Sequence, residues 1–412
     1  MHSLRRLALD LAVAAMLVPA GVQAEELPFH GFLEAAAGSR VVEDHAADDD
    51  IVLSEARFQV DVLRDADLGS LQFRADFVHD TVEGRSLIDV REANIVLTPF
   101  ESVDLKVGRQ VLTWGTGDLV FLNDLFPKDW QSFFIGRDDE YLKKPSDAVR
   151  VTWFGDSLSL DVAWVPVFEP DGFISGERIS YWNGMAGRRF GPGDPEIDPE
   201  APDRTLGNGA VAARLFGTVG QWETALYGYR GRWGQPKAVR FTRSGPVAYF
   251  PRLEAWGASV RGALFGGIAN AEFAWYRSLD DKGGNDPNVP NSQLRGLVGF
   301  SHELVRDQTL GLQAYLERAV QYPDVGFTDQ NRWWLTARYT GLFLQQNLTL
   351  SLFAFYSPTE DDAYLRPKVS YKLSDEILLM AGGNVFLGAH DPTFFGQFED
   401  NTNVYARVRY SF

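Results

Sequence analysis

No cysteine occurs anywhere in the chain. That excludes disulfide staples and thiolate metal sites. Beyond the first two dozen residues there is no run of eighteen apolar residues, so helical membrane spans are excluded as well. Basic residues are in deficit, 39 against 56 acidic ones, for a net charge of −17. An acidic chain repels phosphate backbones, so no nucleic-acid partner is expected. Catalytic signatures are missing too. There is no Gly-x-Ser-x-Gly elbow and no His-Glu-x-x-His site. Gly115-Thr116-Gly117 lacks the rest of a phosphate-binding loop. His79-Asp80 is the one tempting acid–base pair, but neighbours on a strand face opposite sides. Acidic loop runs such as Asp48-Asp49-Asp50, Asp194 to Asp203 and Glu360-Asp361-Asp362 match no EF-hand spacing, and solvated loops explain them better than a cation site. The sequence therefore implies no enzyme, no metal and no cofactor.

The chain is rich in alternation. It ends Val404-Tyr405-Ala406-Arg407-Val408-Arg409-Tyr410-Ser411-Phe412. Val404, Ala406, Val408, Tyr410 and Phe412 share one parity, and Arg407, Arg409 and Ser411 the other. That describes a strand with one face for lipid and one for water. Similar segments recur at intervals of roughly twenty residues. In one, Ala56, Phe58, Val60 and Val62 alternate with Glu55, Arg57, Gln59 and Asp61. In another, Leu365, Pro367, Val369 and Tyr371 alternate with Arg366, Lys368, Ser370 and Lys372. The connections alternate short and long. Arg64 to Gly69, Gly155-Asp156 and Gly266-Gly267 are among the short ones. Ser39 to Asp50, Gly115 to Asp147, Phe168 to Leu206 and Gln321 to Gln330 are among the long ones.

The expectation is an all-β fold, a transmembrane antiparallel β-barrel of about 18 strands, with 16 to 20 open. Short turns lie on the periplasmic side and long loops outside. Aromatics, 13% of the chain, suit girdles at the two interfaces. Arg5 and Arg6 followed by the apolar stretch Leu7 to Val18 and by Val22-Gln23-Ala24 read as a signal peptide, residues 1–24, cut after Ala24. Residues 25–412 are then one barrel domain in the outer membrane, with no room before the first strand for a plug. Barrels of this size generally enclose an aqueous lumen.

Two groups of residues are expected to shape that lumen. The loop Gly115 to Asp147 carries Asp118, Asp124, Lys128, Asp129 and Arg137 together with Phe121, Phe126, Trp130, Phe133, Phe134 and Tyr141. A solvated loop has little reason to hold so many large apolar groups. Folding inward would bury them and set the charges at a constriction; the alternative is a lid over the mouth. The second group is a basic wall of inward Arg338, Arg366, Lys368, Lys372, Arg407 and Arg409, beside a mixed wall of Glu34, Glu55, Arg57, Asp61, Arg74 and Asp76. Such a field favours anions. The alternative is a lattice of mutually neutralising pairs. Phe353, Phe355 and Trp334 are expected to pack rather than form a solute track.

Gly108-Arg109-Gln110 and Trp114-Gly115, with the terminal Phe412, resemble signatures of porin-like outer-membrane barrel families. Among these the chain is similar to large porins related in architecture to alginate-export channels. The resemblance covers Leu105 to Phe154 and both chain ends. It implies an eighteen-stranded channel; with the basic wall, the expected function is passive diffusion of small hydrophilic, anion-leaning solutes, with Arg109 among the residues at the constriction. Tyr410 and Phe412 then act as the signal to the outer-membrane assembly machinery. It also implies contact with lipid and lipopolysaccharide, and leaves monomer and homo-oligomer open. Two other functions compete: a loop-based binding or scaffold barrel with an occluded lumen, and a barrel hydrolase centred on His79.

Overall fold

A computed structural model describes residues 29–66, 69–322 and 329–412. The expected signal peptide lies outside the described residues, as do parts of the expected turn at 64–69 and loop at 321–330. Seven strands open the chain: β1 (His30–Arg40), β2 (Ile51–Ala66), β3 (Gly69–Asp80), β4 (Arg85–Phe100), β5 (Val103–Val111), β6 (Pro145–Phe154) and β7 (Leu158–Val165). A small hairpin, β8 (Tyr181–Asn183) and β9 (Arg188–Phe190), follows. Then come β10 (Ala210–Val219), β11 (Trp222–Arg232), a second hairpin of β12 (Ala238–Thr242) and β13 (Gly245–Tyr249), β14 (Arg252–Leu264) and β15 (Gly267–Ser278). The chain closes with β16 (Gln293–Val305), β17 (Gln308–Ala319), β18 (Asn331–Phe343), β19 (Leu348–Ser357), β20 (Asp362–Lys372), β21 (Ile377–Gly388) and β22 (Asn403–Ser411).

All but the two hairpins join one sheet of 18 antiparallel strands, closed where β1 pairs with β22. Closure satisfies the edge groups that lipid would leave unpaired. Alternation decides which side chains meet lipid. Val404 and Val408 are exposed on the outer face of β22, while Tyr405 and Arg407 are buried inside. Exposed Trp164, Trp256, Trp275, Trp333 and Tyr356 stand near the long-loop ends, and Phe100, Trp153, Phe154 and Tyr371 near the short-turn ends. These two belts place their rings at the depth of the headgroups.

The long loops are more ordered than a plain loop reading suggests. Loops 166–209 and 233–251 each carry a hairpin. The Pro-rich segment 194–203 docks on the second one, where the Glu200 amide donates to the Ala248 carbonyl at 2.8 Å. At the seam, Gly31 and Phe412 exchange backbone hydrogen bonds, each at 3.1 Å. The Phe412 ring lies 6.0 Å from both Phe29 and Phe58. Phe412→Ala removes this clamp at the seam where β22 meets β1. The expected outcome is slower barrel closure, read as a lag in the heat-modifiable gel shift during refolding. Wild-type kinetics would show that the ring has no part in closure.

Candidate functional site

The loop between β5 and β6, residues 112–144, lies inside the barrel and touches most of its wall. Trp114 starts it, 5.0 Å from Phe126 and 6.3 Å from Tyr227, with its indole N–H donating to Asp161 at 3.2 Å. Gly115 then turns the chain at φ +85°, a left-handed conformation open to glycine. The turn aims its donors at Glu272 on β15. That carboxylate accepts the amides of Thr116 and Gly117, the Thr116 hydroxyl (2.9 Å) and Asn123 Nδ2 (2.7 Å). A carboxylate with four donors is a strong anchor.

On the far side a short helix, α1 (Trp130–Ile135), is capped by Asp129, which accepts the Ser132 amide at 2.9 Å and its hydroxyl at 2.6 Å. It ends at Gly136, φ +89°. Phe133, Phe134 and Ile135 are buried against Tyr364, Phe386 and Tyr405 of β20–β22. Phe134 meets Phe386 at 5.1 Å and Tyr364 at 5.3 Å in edge geometry. Each such ring contributes roughly 2 kcal/mol by burial. This dry contact seals one side of the lumen.

Ion pairs complete the docking. Asp118 binds Arg338, at 2.8 Å for the longer of its two contacts. Asp139 takes Arg366 at 2.9 Å and Lys368 at 3.0 Å. Asp138 takes Arg407 at 3.2 Å and Arg409 at 3.3 Å, and Glu34 shares both. Arg137 pairs with Glu55 and Asp80, and Tyr141 donates to Asp76 at 2.6 Å. Burial alone would raise the Asp139 carboxyl, but Arg366 and Lys368 outweigh it and hold the group below the usual carboxylate range. Glu140 moves the other way: burial and the adjacent Asp138 raise it.

Sequence-predicted residues therefore fall into three sets. Asp118, Arg137, Arg338, Arg366, Lys368, Arg407 and Arg409 face the lumen but are bound to opposite charges. Asp124, Lys128 and Asp129 belong to the loop's own fold: Lys128 Nζ binds Asp124 at 3.0 Å and the Phe126 carbonyl at 2.7 Å, both side chains buried. Arg109 departs from the expectation entirely. It shares its face with exposed Val107 and pairs with Asp147 at 3.2 Å, because Gly108 and Gln110 take the inward parity. Lys372 is exposed near the turn that follows β20.

What stays open is a chamber of about 520 Å³ between the loop and β3, β4 and β18. Arg74, Arg91, Lys143 and Arg338 line it, against Glu92, Asp118, Asp139 and Glu140. Alternation does not predict Arg91 and Glu92 on the same side. Arg74 pairs with Glu92 and Ala75 with Val90, so Arg91 is an extra residue in β4. This bulge turns both Arg91 and Glu92 inward. Arg91 then ties down the loop's end through the carbonyls of Glu140 (3.0 Å) and Lys143 (2.7 Å). Gly117, Phe121 and Lys143 also line a second space of about 100 Å³.

The outer mouth is narrowed by loop 166–209. Its Arg178 is buried, donating to the Val52 carbonyl at 3.0 Å and Glu83 at 2.8 Å, and pairing with Asp80. Its Asp171 accepts the Lys128 amide and the Trp130 indole N–H, both at 3.0 Å. Lys237, in loop 233–251, sits over the Trp233 ring at 5.0 Å. Its side chain is open to solvent although protein surrounds it. The protein crowded around it, then Arg295 and Arg332 working against Glu317, push its ammonium down to about 8. Among the described residues, neither Lys143 nor Lys237 has a carboxylate within 4.0 Å. Sequence reading missed Glu272, Arg91, Glu92 and Lys237, whereas Lys143 belongs to the charged loop it expected inside; only the acidic run Asp138-Asp139-Glu140 could have signalled partners for the basic wall.

Fold and lumen together define an outer-membrane-type β-barrel with an internal constriction loop. No family model matches the chain, and no curated protein matches it in sequence. Among solved structures it is similar to Acinetobacter baumannii OccAB3 at 10% identity, covering 93% of this chain and 98% of that one with a TM-score of 0.56. Acinetobacter baumannii OccAB4 follows at 11%, 93% and 97%, TM-score 0.53. Pseudomonas aeruginosa OccK11 (OpdR) gives 11%, 93% and 95%, TM-score 0.53. At these identities the likeness shows the fold alone.

Proposed function

We propose that the protein is an outer-membrane channel through which small hydrophilic solutes diffuse passively. The observation that carries this reading is the charged chamber of about 520 Å³ left between the loop and the wall. Four cationic and four anionic side chains line it, so the constriction is polar but balanced. Pairing with Asp118, Asp138 and Asp139 cancels most of the basic wall. A weak lean toward anions rests on the free amines of Lys143 and Lys237. Diffusion needs no energy input and no cofactor. The outer membrane as location, the cut after Ala24 and recognition of Phe412 by the assembly machinery belong to the same proposal, as does the choice between monomer and homo-oligomer. The finer likeness to alginate-export-type barrels has support from strand number only. Gly108 and Trp114 serve the strand and the loop root, and nothing in them handles polysaccharide.

The test is a planar bilayer recording of the folded protein with a salt gradient. Discrete open steps with weak anion preference are expected. A silent but folded barrel would overturn the channel and favour the occluded scaffold, which the dry aromatic contact of α1 and the loop across the mouth would then explain. The pH dependence has a worked sign. Glu140, its proton affinity raised, loses its negative charge first on acidification. Lys237 loses its positive charge as pH rises through about 8. Anion preference should therefore be strongest in acid and weakest above pH ~8. Lys237→Met should abolish the alkaline part of that change, and an unaltered pH profile would remove this amine from the mechanism; Lys143→Met should lower the anion preference at every pH. A hydrolase reading has little to stand on. His79 Nδ1 lies 2.9 Å from Ser86 Oγ, but Asp80 faces the lumen with Arg178 and Arg137.

A further inference from the structure

The lipid-facing wall is not uniformly rough. Across β14–β17 the outward positions Ala258, Ala271, Gly296 and Ala314 are small, and they cut a groove of about 510 Å³ flanked by Phe273 and Trp333. The register aligns them in two rows: Ala258, Phe273 and Gly296 in one, Ala271, Val298 and Ala314 in the next. The groove lies at mid-depth and toward the long-loop end. Its sides are side chains such as Val260, Phe273, Val298 and Leu316, a surface suited to hydrocarbon rather than water.

Above it, outside the belt of Trp256 and Trp275, the outward positions change character. Arg230, Glu254 and Arg277 stand in one row on β11, β14 and β15. Arg318 follows on β17, two residues past the groove's Leu316. Arg230 is exposed and has no bonded partner among the described residues. Arg318 is exposed and meets only the neutral Asn331 Oδ1, at 2.9 Å. Arg277 pairs with Glu254 at 3.5 Å, the one acidic group in the patch. Three cations over one anion, at headgroup depth, attract a negative headgroup. Phe273 and Arg277 lie four residues apart on one strand, about 13 Å, a reach that spans part of an acyl chain and its headgroup.

We propose that this groove seats the acyl chain of a phosphate-bearing lipid of the outer leaflet, whose phosphate is met by Arg277 and attracted from either side by Arg230 and Arg318. The site goes beyond the channel reading and does not depend on it. The charge pattern selects this occupant. A second copy of the chain would bring the same cations against themselves across a two-fold contact, whereas a phosphate neutralises them.

The structure also supplies a clean probe. A side chain added at Gly296 would meet nothing within 4 Å. Gly296→Leu should therefore fill the groove without disturbing the barrel. The experiment folds the full mature chain in mixed micelles of dimyristoyl phosphatidic acid and dimyristoyl phosphatidylcholine, which differ only in headgroup, and counts retained lipids by native mass spectrometry. Wild type should retain one phosphatidic acid, at least tenfold over phosphatidylcholine. Arg230→Gln/Arg277→Gln/Arg318→Gln should erase the headgroup preference, and Gly296→Leu should lower retention of both lipids about tenfold. Heat-modifiable mobility verifies that each variant is folded. Equal retention by all three proteins would overturn the proposal. So would a lipid-free oligomer that Gly296→Leu reduces to monomer, because the occupant would then be a second copy.

Discussion

Replacing Asp138 and Asp139 together by asparagine is expected to turn a balanced lumen into a positive one. Among the described residues Arg366 and Lys368 have Asp139 as their only acidic partner, and Asp138 is shared by Arg407 and Arg409. The last two retain Glu34. Among the described residues the first two retain no acidic partner. Exposed pairs contribute about 0.2–1 kcal/mol and removing a partner from a buried pair costs about 3–5 kcal/mol. Arg366 is buried and Lys368 partly open, so the loop loses about 2–3 kcal/mol of docking. Two readouts follow. Reversal potential in a salt gradient should shift strongly toward anions, and single-channel conductance should rise at least twofold as the loop loosens. The selectivity shift should fade in 1 M salt, where the Debye length falls to about 3 Å. An unchanged potential at low salt would mean that these carboxylates do not set the field in the passage. The same pair fixes an acid limit. Asp139 is held below its ordinary range, so the stability it contributes is present above the unfolded value and is lost only as pH falls through the lower folded value. The loop should stay docked well below pH 4.

Substituting Gly136 by valine is expected to undock α1 from the wall. Gly136 has φ +89°, and a Cβ there would overlap the Tyr405 ring. The left-handed conformation costs a non-glycine residue about 1–2 kcal/mol, and the overlap adds to it. The loss should reach about 3 kcal/mol, felt as a lower thermal midpoint and as rapid current flicker. Tyr405→Ala in the same chain removes the overlap but not the backbone strain, so it should recover part of the loss. A quiet Gly136→Val channel with the wild-type midpoint would show that the helix is not held where the ring packing places it.

Much of this architecture was legible from residue order. Period-two alternation marked the strands, and the rhythm of short and long connections gave their number and direction, because both follow from the pleat and from the cost of unpaired backbone in lipid. The aromatic load of the loop pointed to burial. Other features were not legible. The bulge at Arg91 changes parity within one strand, so a residue counted outward turns in. Arg109 sits in a segment where alternation permits either face, and only the pairing with Asp147 reveals the outer one. The hairpins in loops 166–209 and 233–251 have short strands and weak patterns. Lys128 looked like a constriction charge and is instead bonded to Asp124 within the loop.

Outside the bulge at Arg91 and the segment around Arg109, residue order by itself determined which side chains meet acyl chains and which meet the lumen, since that depends on neighbours one or two positions away. Only the tertiary structure decided which lumen charges remain free. Asp118 and Arg338 are 220 residues apart, Asp139 and Arg366 227 apart, yet each pair is within bonding distance. Coulomb attraction depends on separation in space, and the closed barrel with its inward loop is what brings those distant charges together.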